Sequence, residues 1–246
     1  MHVIVTGGSR GIGAAVARGA AARGWDVTVN YLGAREAAEA VAAEVRAAGA
    51  RACVVQGDMG REEDVLRLFD EAQSALGPIG AVVINAGVVG ETSALADMSA
   101  ARMKKIFDTN VLGAFLTARE GARRMSRSRG GSGGVMVVLS SAAARLGSPG
   151  QYVDYAASKG AMDTMVNGLS KELGPEGIRV NGVRPGIIDT DIHASGGEPD
   201  RAAQLGPQAP LGRAGTAEET ANGVLWLISD EASYVTGALL DVAGGR

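Results

Sequence analysis

The sequence predicts an α/β fold: one domain, residues 1–246, built as a doubly wound parallel sheet with helices on both faces. Three observations predict it. Short β-branched runs alternate with longer Ala-rich stretches along the chain, and strands that alternate with helices pair in parallel through right-handed crossovers. A glycine-rich turn separates the first strand-like run from the first helical one. The chain has 246 residues, 46% of them hydrophobic, enough for one sizeable core. No repeat or composition break divides it.

The elements follow in order. Val3–Val5, Val27–Val29, Cys53–Val55, Val82–Ile84, Val135–Leu139 and Arg179–Val183 are continuous apolar runs of the kind buried on both faces of a parallel sheet. Between them, Ile12–Arg23, Arg35–Ala48, Glu62–Leu76, a long stretch from about Ser99 to Met125, and Tyr152–Leu173 are predicted helices. A last helix, Ala217–Ser229, precedes a final strand near Ala238–Asp241. Two segments are predicted loops: Ser126–Gly134, rich in Arg, Ser and Gly, and His193–Pro210, with several Gly and Pro. Such a sheet opens a ligand crevice at the carboxyl ends of its strands.

Composition excludes several classes. With 24 basic and 27 acidic residues the net charge is −3, which gives no general attraction to nucleic acid or an anionic membrane. Arg123, Arg124, Arg127 and Arg129 cluster, but no aromatic residue interleaves with them, so they are expected to be a solvated helix end. The single cysteine, Cys53, can form no internal disulfide and is expected to pack as a small hydrophobe. Strand-like residues begin at Val3, leaving no room for a cleaved signal, and no apolar run reaches the roughly 18 residues of a membrane span. A cytoplasmic protein is expected. His193 is expected to be an exposed loop residue or a lid contact, and no clustered ligands suggest a metal.

The turn Thr6-Gly7-Gly8-Ser9-Arg10-Gly11-Ile12-Gly13 follows the first strand and opens the first helix. Gly7 permits the tight turn, Gly11 clears space for backbone to approach a pyrophosphate, and Gly13 lets helix and strand pack closely. The helix start then offers free N–H groups and a positive dipole end to phosphates. This is the context of a dinucleotide site. At the end of the second strand, where an acidic residue would accept bonds from a ribose 2′-hydroxyl, stand Asn30 and Tyr31. Asn30 does not repel a 2′-phosphate, and Arg10 can pair with one. A preference for NADP(H) over NAD(H) is expected.

Tyr155 and Lys159 share one helix face one turn apart. A free phenol, with its pKa about 10, is a poor acid–base catalyst near neutrality, and a neighbouring ammonium favours phenolate, so Lys159 is expected to lower the Tyr155 pKa. Ser140 and Ser141 end the preceding strand, where either hydroxyl could polarise a carbonyl or cap a turn. Asn110 lies in the long apolar helix and needs a partner, functional or structural.

Taken together these residues resemble the short-chain dehydrogenase/reductase family over essentially the whole chain. The T-G-x-x-x-G-x-G turn is Thr6–Gly13; the Asp after the third strand is Asp58, followed by Met59; N-A-G after the fourth strand is Asn85-Ala86-Gly87. The helix Asn is Asn110, the serine Ser141, and Y-x-x-x-K is Tyr155 and Lys159. The P-G turn is Pro185-Gly186, with Ile188 and Thr190 near the nicotinamide amide; Tyr234-Val235-Thr236-Gly237 and Gly244-Gly245 also fit. The closest subgroup is similar to bacterial 3-oxoacyl-carrier-protein reductases and glucose 1-dehydrogenases. Two departures are Ile84 in place of a first Asn before Asn85, and one extra residue between Ser141 and Tyr155, in the Arg145–Tyr152 loop, expected to reshape the substrate mouth.

The resemblance implies a Rossmann-type fold, a homotetramer, and Asn110, Ser141, Tyr155 and Lys159 as catalytic residues. It also implies a cofactor contacted by Thr6, Gly7, Ser9, Arg10, Gly11, Ile12, Gly13, Asn30, Tyr31, Asp58, Met59, Asn85, Ala86, Gly87, Tyr155, Lys159, Pro185, Gly186, Ile188 and Thr190. Ser141 and Tyr155 would hold a carbonyl oxygen, Tyr155 would give the proton, Lys159 would bind the nicotinamide ribose, and Asn110 would support a water. A second apolar stripe on the helices Met103–Ala118 and Tyr152–Leu173 fits burial against another subunit. The expected activity is NADPH-dependent reduction of a small carbonyl, with a sugar or polyol dehydrogenase as the alternative. A non-catalytic dinucleotide sensor would have no need of Tyr155, Lys159, Ser141 and Asn110 together.

Overall fold

The computed structural model describes the backbone of residues 1–246 and every side chain except those of His193 and Ser195; the expectation for His193 therefore lies outside the described residues. The chain runs β1 (His2–Val5), α1 (Gly11–Ala21), β2 (Asp26–Tyr31), α2 (Arg35–Ala47), β3 (Ala52–Gln56), α3 (Glu62–Leu76) and β4 (Ala81–Ile84). It continues through α4 (Ala100–Phe107), α5 (Gly113–Met125), β5 (Gly134–Leu139), α6 (Ala143–Leu146), α7 (Val153–Leu173) and β6 (Ile178–Pro185). It ends with α8 (Ile192–Ser195), α9 (Arg201–Leu205), α10 (Ala217–Ile228) and β7 (Leu239–Val242).

The seven strands form one sheet in the order β3-β2-β1-β4-β5-β6-β7, and every pairing is parallel. The order reverses between β1 and β4, so the connections leave the sheet on opposite sides there and open a crevice beyond the strand ends. Apolar residues cover both faces. Helices α1, α2 and α10 pack Val16, Ala20, Val41 and Leu225 over one. Helices α3, α5 and α7 pack Leu68, Phe69, Leu116, Met162 and Val166 over the other. This double burial is why the strands carry no alternation of polar residues. Cys53 packs against the second cluster as expected of a small hydrophobe, and burial pushes its thiol pKa up.

Two differences from the sequence reading matter. The stretch from Ser99 to Met125 is not one helix: a π-helical turn at Asp108–Leu112 separates α4 from α5. Such turns insert one residue into the ladder and recur at functional sites. Here it accompanies two tight contacts, Asn110 buried among its partners and Gly113 against the carbonyl of Met59, where a Cβ would lie 2.7 Å away. The predicted loop His193–Pro210 contains the short helices α8 and α9. No helix of the described residues is long and apolar enough to cross a membrane. The arginine cluster is half neutralised: Arg123 pairs with the buried Glu120 at 2.6 Å and Arg124 with Asp70 at 2.6 Å.

Candidate active site

The glycine turn is fixed from below. Thr6 is fully buried; its hydroxyl donates to the carbonyl of Val83 and accepts from the backbone N–H groups of Asn85 and Ala86 at 2.9 and 3.1 Å. The Asn85 amide returns the tie, donating to the carbonyls of Thr6 and Gly7 at 2.8 and 3.0 Å. The T-G and N-A-G motifs are thus one hydrogen-bonded seam across β1 and β4. Thr6 lines neither cavity described below; it braces the turn.

Above the seam lies a cleft of about 530 Å³, lined by Ser9, Arg10, Gly11, Tyr31, Asp58 and Met59 among others. Gly11 adopts φ +53°, in the region that favours glycine. A Cβ on Gly13 would stand 2.4 Å from the Gly7 carbonyl oxygen and 2.7 Å from Asn85 Nδ2. No side chain caps α1, so its first N–H groups remain available to an anion. A turn that no Cβ could enter, an uncapped helix start and a cleft of this size fit the diphosphate and adenosine of a dinucleotide.

Asn30, expected at the ribose-facing end of β2, lines the cleft there, but it is buried and its amide is committed. Oδ1 accepts from Gly7 N–H at 3.1 Å, and Nδ2 donates to the carbonyls of Val55 and Gly57. It ties the glycine turn to β3, and the exposed rim beyond it is Leu32, Gly33 and Ala34. Those rim residues, with Lys105 and Thr109 on the opposite wall, had no place in the sequence reading. Arg10 is exposed at the cleft, as expected. Asp58 also lines it, and its Oδ1 accepts from Gly60 N–H at 2.9 Å.

A second cavity of about 430 Å³ continues the first; Ile12, Asn85, Gly87 and Thr190 line both. It holds Ser141, Tyr155 and Lys159, with Pro185, Gly186 and Ile188 on its wall. Strand β5 delivers the serines at its carboxyl end and α7 delivers the tyrosine and lysine. The choice between the serines is made by their bonds. Ser140 is buried and its hydroxyl is spent on Asp163 Oδ1 at 2.7 Å and the Lys159 carbonyl at 3.1 Å. Ser141 faces the Tyr155 phenol closely enough to pull its pKa down, and its hydroxyl accepts from Ala143 N–H at 3.1 Å.

Lys159 Nζ lies 5.6 Å from the Tyr155 ring centre and donates to the Leu139 carbonyl at 2.6 Å. Burial brings the lysine down to about 8, against the opposing pull of Asp163. Burial pushes Tyr155 up to about 12, and Ser141 offsets only part of that. The expected lowering of the tyrosine is therefore not found: helical spacing brings the ammonium near the ring, but desolvation of the phenolate outweighs every nearby charge. Asp163 in turn is clamped by Arg184 at 2.8 Å. Asn110, 1% exposed, accepts from Val88 N–H at 2.7 Å and donates to the Val88 carbonyl at 2.9 Å and Ser158 Oγ at 3.0 Å. Its side chain locks the segment after Asn85 to α7.

The mouth contains residues that the motifs did not flag: Gln151, Tyr152, Arg201 and Arg246. Tyr152 meets Tyr155 edge-on, ring centres 5.9 Å apart. The loop with the extra residue carries Ser148 at φ +47°, the one non-glycine residue with positive φ among the described residues, a local strain at the rim. The segment is tied across the mouth by Ser93 N–H to the Gln151 carbonyl at 2.8 Å, Thr92 Oγ1 to Glu198 at 2.8 Å, and Arg201 to Gln151 Oε1 at 2.7 Å.

Known proteins resemble this chain over its whole length. Residues 7–246 match the family described as enoyl-(acyl carrier protein) reductase. The uncharacterized oxidoreductase YgfF of Escherichia coli is 49% identical over 243 residues, 99% of this chain and 98% of the relative. The 3-oxoacyl-[acyl-carrier-protein] reductase FabG of Staphylococcus aureus is 35% identical over 242 residues, 98% of this chain and 96% of the relative. The crystal structure of a short-chain type dehydrogenase/reductase from Mycobacterium marinum superposes with TM-score 0.92 at 35% identity, covering 99% of this chain and 94% of that one. With a dinucleotide cleft that runs into a Ser–Tyr–Lys cavity and relatives matching end to end, the chain belongs to the short-chain dehydrogenase/reductase family of NAD(P)(H)-dependent oxidoreductases.

Proposed function

We propose that the protein reduces a small carbonyl substrate, a 3-oxoacyl thioester or similar ketone, with Tyr155 as proton donor and NADPH preferred to NADH. The observation that carries this reading is the continuity of the two cavities: one groove leads from the glycine turn to the hydroxyls of Ser141 and Tyr155. When bound, the nicotinamide supplies the hydride. The chain's own residues do the rest. Ser141 and Tyr155, which line the same cavity, hold the carbonyl oxygen between their hydroxyls. Tyr155, kept protonated by burial, gives its proton to the oxygen as negative charge develops there. Lys159, beside Gly87 and the tyrosine ring, binds the ribose. Asn110 positions α7 against the Asn85 turn and supports a water behind the lysine.

Arg10 at the turn and a rim of Leu32, Gly33 and Ala34 without a carboxylate support the preference for a 2′-phosphate. Phe107, Leu112 and Phe115 are 42%, 48% and 47% exposed on the α4–α5 face, an apolar patch that supports a homotetramer. A cytoplasmic enzyme fits the single free cysteine. The test is a side-by-side assay of a 3-oxoacyl thioester with NADPH and of glucose with NADP+. Thioester reduction is expected; glucose oxidation without it would replace this reading with a sugar dehydrogenase.

A further inference from the structure

The far end of the substrate cavity carries charge that hydride transfer does not use. Arg201 on α9 is 8% exposed, and a guanidinium that deep is costly unless its donors are met. Two are: Nη1 pairs with Glu198 and Nη2 donates to Gln151 Oε1 at 2.7 Å. Its Cζ stacks 5.0 Å from the Tyr152 ring centre. Its Nε is buried with no partner, and so is Nη1 of Arg246. Among the described residues four buried side-chain polar atoms lack a partner, and two of them belong to the arginines lining this one cavity. Native structures satisfy such donors, so these two point to a ligand that brings the acceptors.

We propose that this end of the cavity is an anion subsite and that the substrate is an oxo acid whose carboxylate sits between Arg201 and Arg246. The proposal rests on the reductase reading and, among its ketone substrates, ranks those with a free carboxylate above the thioester, whose carboxyl is esterified and which is turned over less well. Donor count selects the group. One unmet N–H donor on each arginine matches the two oxygens of a single carboxylate. Arg145 is already engaged, donating to the Arg246 backbone carbonyl at 2.9 Å and pairing with Asp241 at 3.5 Å. Both cavity arginines also pull the Tyr152 phenol down against the burial that raises it, so their charge is felt one ring away from Tyr155. Tyr152 bridges the two ends of the cavity, its ring centre 5.9 Å from that of Tyr155 and 5.0 Å from Arg201 Cζ. With NADPH as reductant, hydride forms the new C–H bond, the Tyr155 proton forms the O–H bond, and a hydroxy acid leaves with its carboxylate unchanged.

The experiment compares 3-oxo- and 4-oxopentanoate with their methyl esters, for wild type, Arg246→Gln, Arg246→Lys and Arg201→Lys. NADPH oxidation reads the chemistry, and calorimetric titration of the same compounds reads the subsite. The acids are expected to exceed their esters at least tenfold in kcat/KM through KM. Arg246→Gln is expected to collapse that ratio at least tenfold, and Arg246→Lys to keep part of it. Esters turned over as well as the acids, or a ratio indifferent to Arg246→Gln, would overturn the subsite and leave the reductase standing. Acid binding that Arg246→Gln abolishes, without any turnover, would uphold the subsite and overturn the reductase reading.

Discussion

Alanine at position 13 sets local propensity against packing. In a helix interior Ala is favoured over Gly by about 1 kcal/mol, so helix α1 considered alone would gain. The contacts say otherwise. A Cβ there would lie 2.4 Å from the Gly7 carbonyl oxygen and 2.7 Å from Asn85 Nδ2, roughly an ångström inside the ~3.5–4.0 Å of ordinary contact. Neither neighbour is free to move. The Gly7 carbonyl belongs to backbone held through Asn85 Nδ2 at 3.0 Å and Asn30 Oδ1 at 3.1 Å, and Asn85 is held by Thr6. Relief requires α1 to back away from the sheet or the seam to open, at about 1–3 kcal/mol. At roughly 2–4 °C per kcal/mol for a chain of this size, Gly13→Ala is expected to lower Tm by several degrees. It is also expected to weaken NADPH at least tenfold, because the phosphate turn is the part displaced. Gly168→Ala, in α7 with nothing near its would-be Cβ, is the control and is expected to hold or raise Tm. Thermal melts and fluorescence titration decide. A Gly13→Ala protein with unchanged Tm and cofactor affinity within twofold would refute the packing argument.

Four further outcomes are expected. Lys159, lowered to about 8 from an unfolded 10.5, makes the unfolded state bind more protons between those values. Stability should therefore rise with pH across that window, by on the order of 3 kcal/mol, and urea melts should show Lys159→Met losing the rise. Tyr155, raised to about 12, stays protonated as the acid throughout. An alkaline limb of reduction near pH 8 would then belong to the lysine, and Lys159→Arg should move it upward in a pH–rate profile. Tyr155→Phe should lower kcat by about 10²–10⁴ while sparing cofactor binding, whereas Tyr152→Phe should retain turnover, as steady-state kinetics would show. Asn30→Asp turns a carboxylate toward the Val55 and Gly57 carbonyls; it should cost about 1–3 kcal/mol or more in denaturant melts instead of switching the cofactor, while Arg10→Ala should weaken NADPH about tenfold and leave NADH nearly unchanged.

The sheet was legible in the sequence because its strands are buried on both faces and bounded by glycine turns, and the cofactor turn because T-G-x-x-x-G-x-G sits between a strand and a helix. Other features left no local trace. A π-helical turn adds one residue to a periodic stretch, and the pattern from Ser99 to Met125 absorbs it without a break. Asn30 is the penultimate residue of a strand covered on both sides, so neither face is marked as the ribose side, and only the contacts reveal that its amide is spent. Spacing placed Lys159 beside Tyr155 correctly, but a pKa depends on burial, which spacing does not carry. Arg201 sits in the loop after β6 and Arg246 directly follows Gly244-Gly245; neither position marks a cavity in the sequence, and only the folded loop and the turn after β7 bring them together.

The seam between Thr6 and Asn85 has a consequence for how this scaffold can change its business. Bonds that hold the glycine turn to β4 lie beneath the cleft, in the interior, and any substitution there disturbs the turn and the sheet together. The mouth is tied differently, through Thr92, Ser93, Gln151, Glu198 and Arg201, all on loops or short helices beyond the strand ends. Selection can therefore act on the two parts separately. A lineage that trades the arginines of the mouth for apolar or smaller residues would acquire a new diet while inheriting its redox machinery intact.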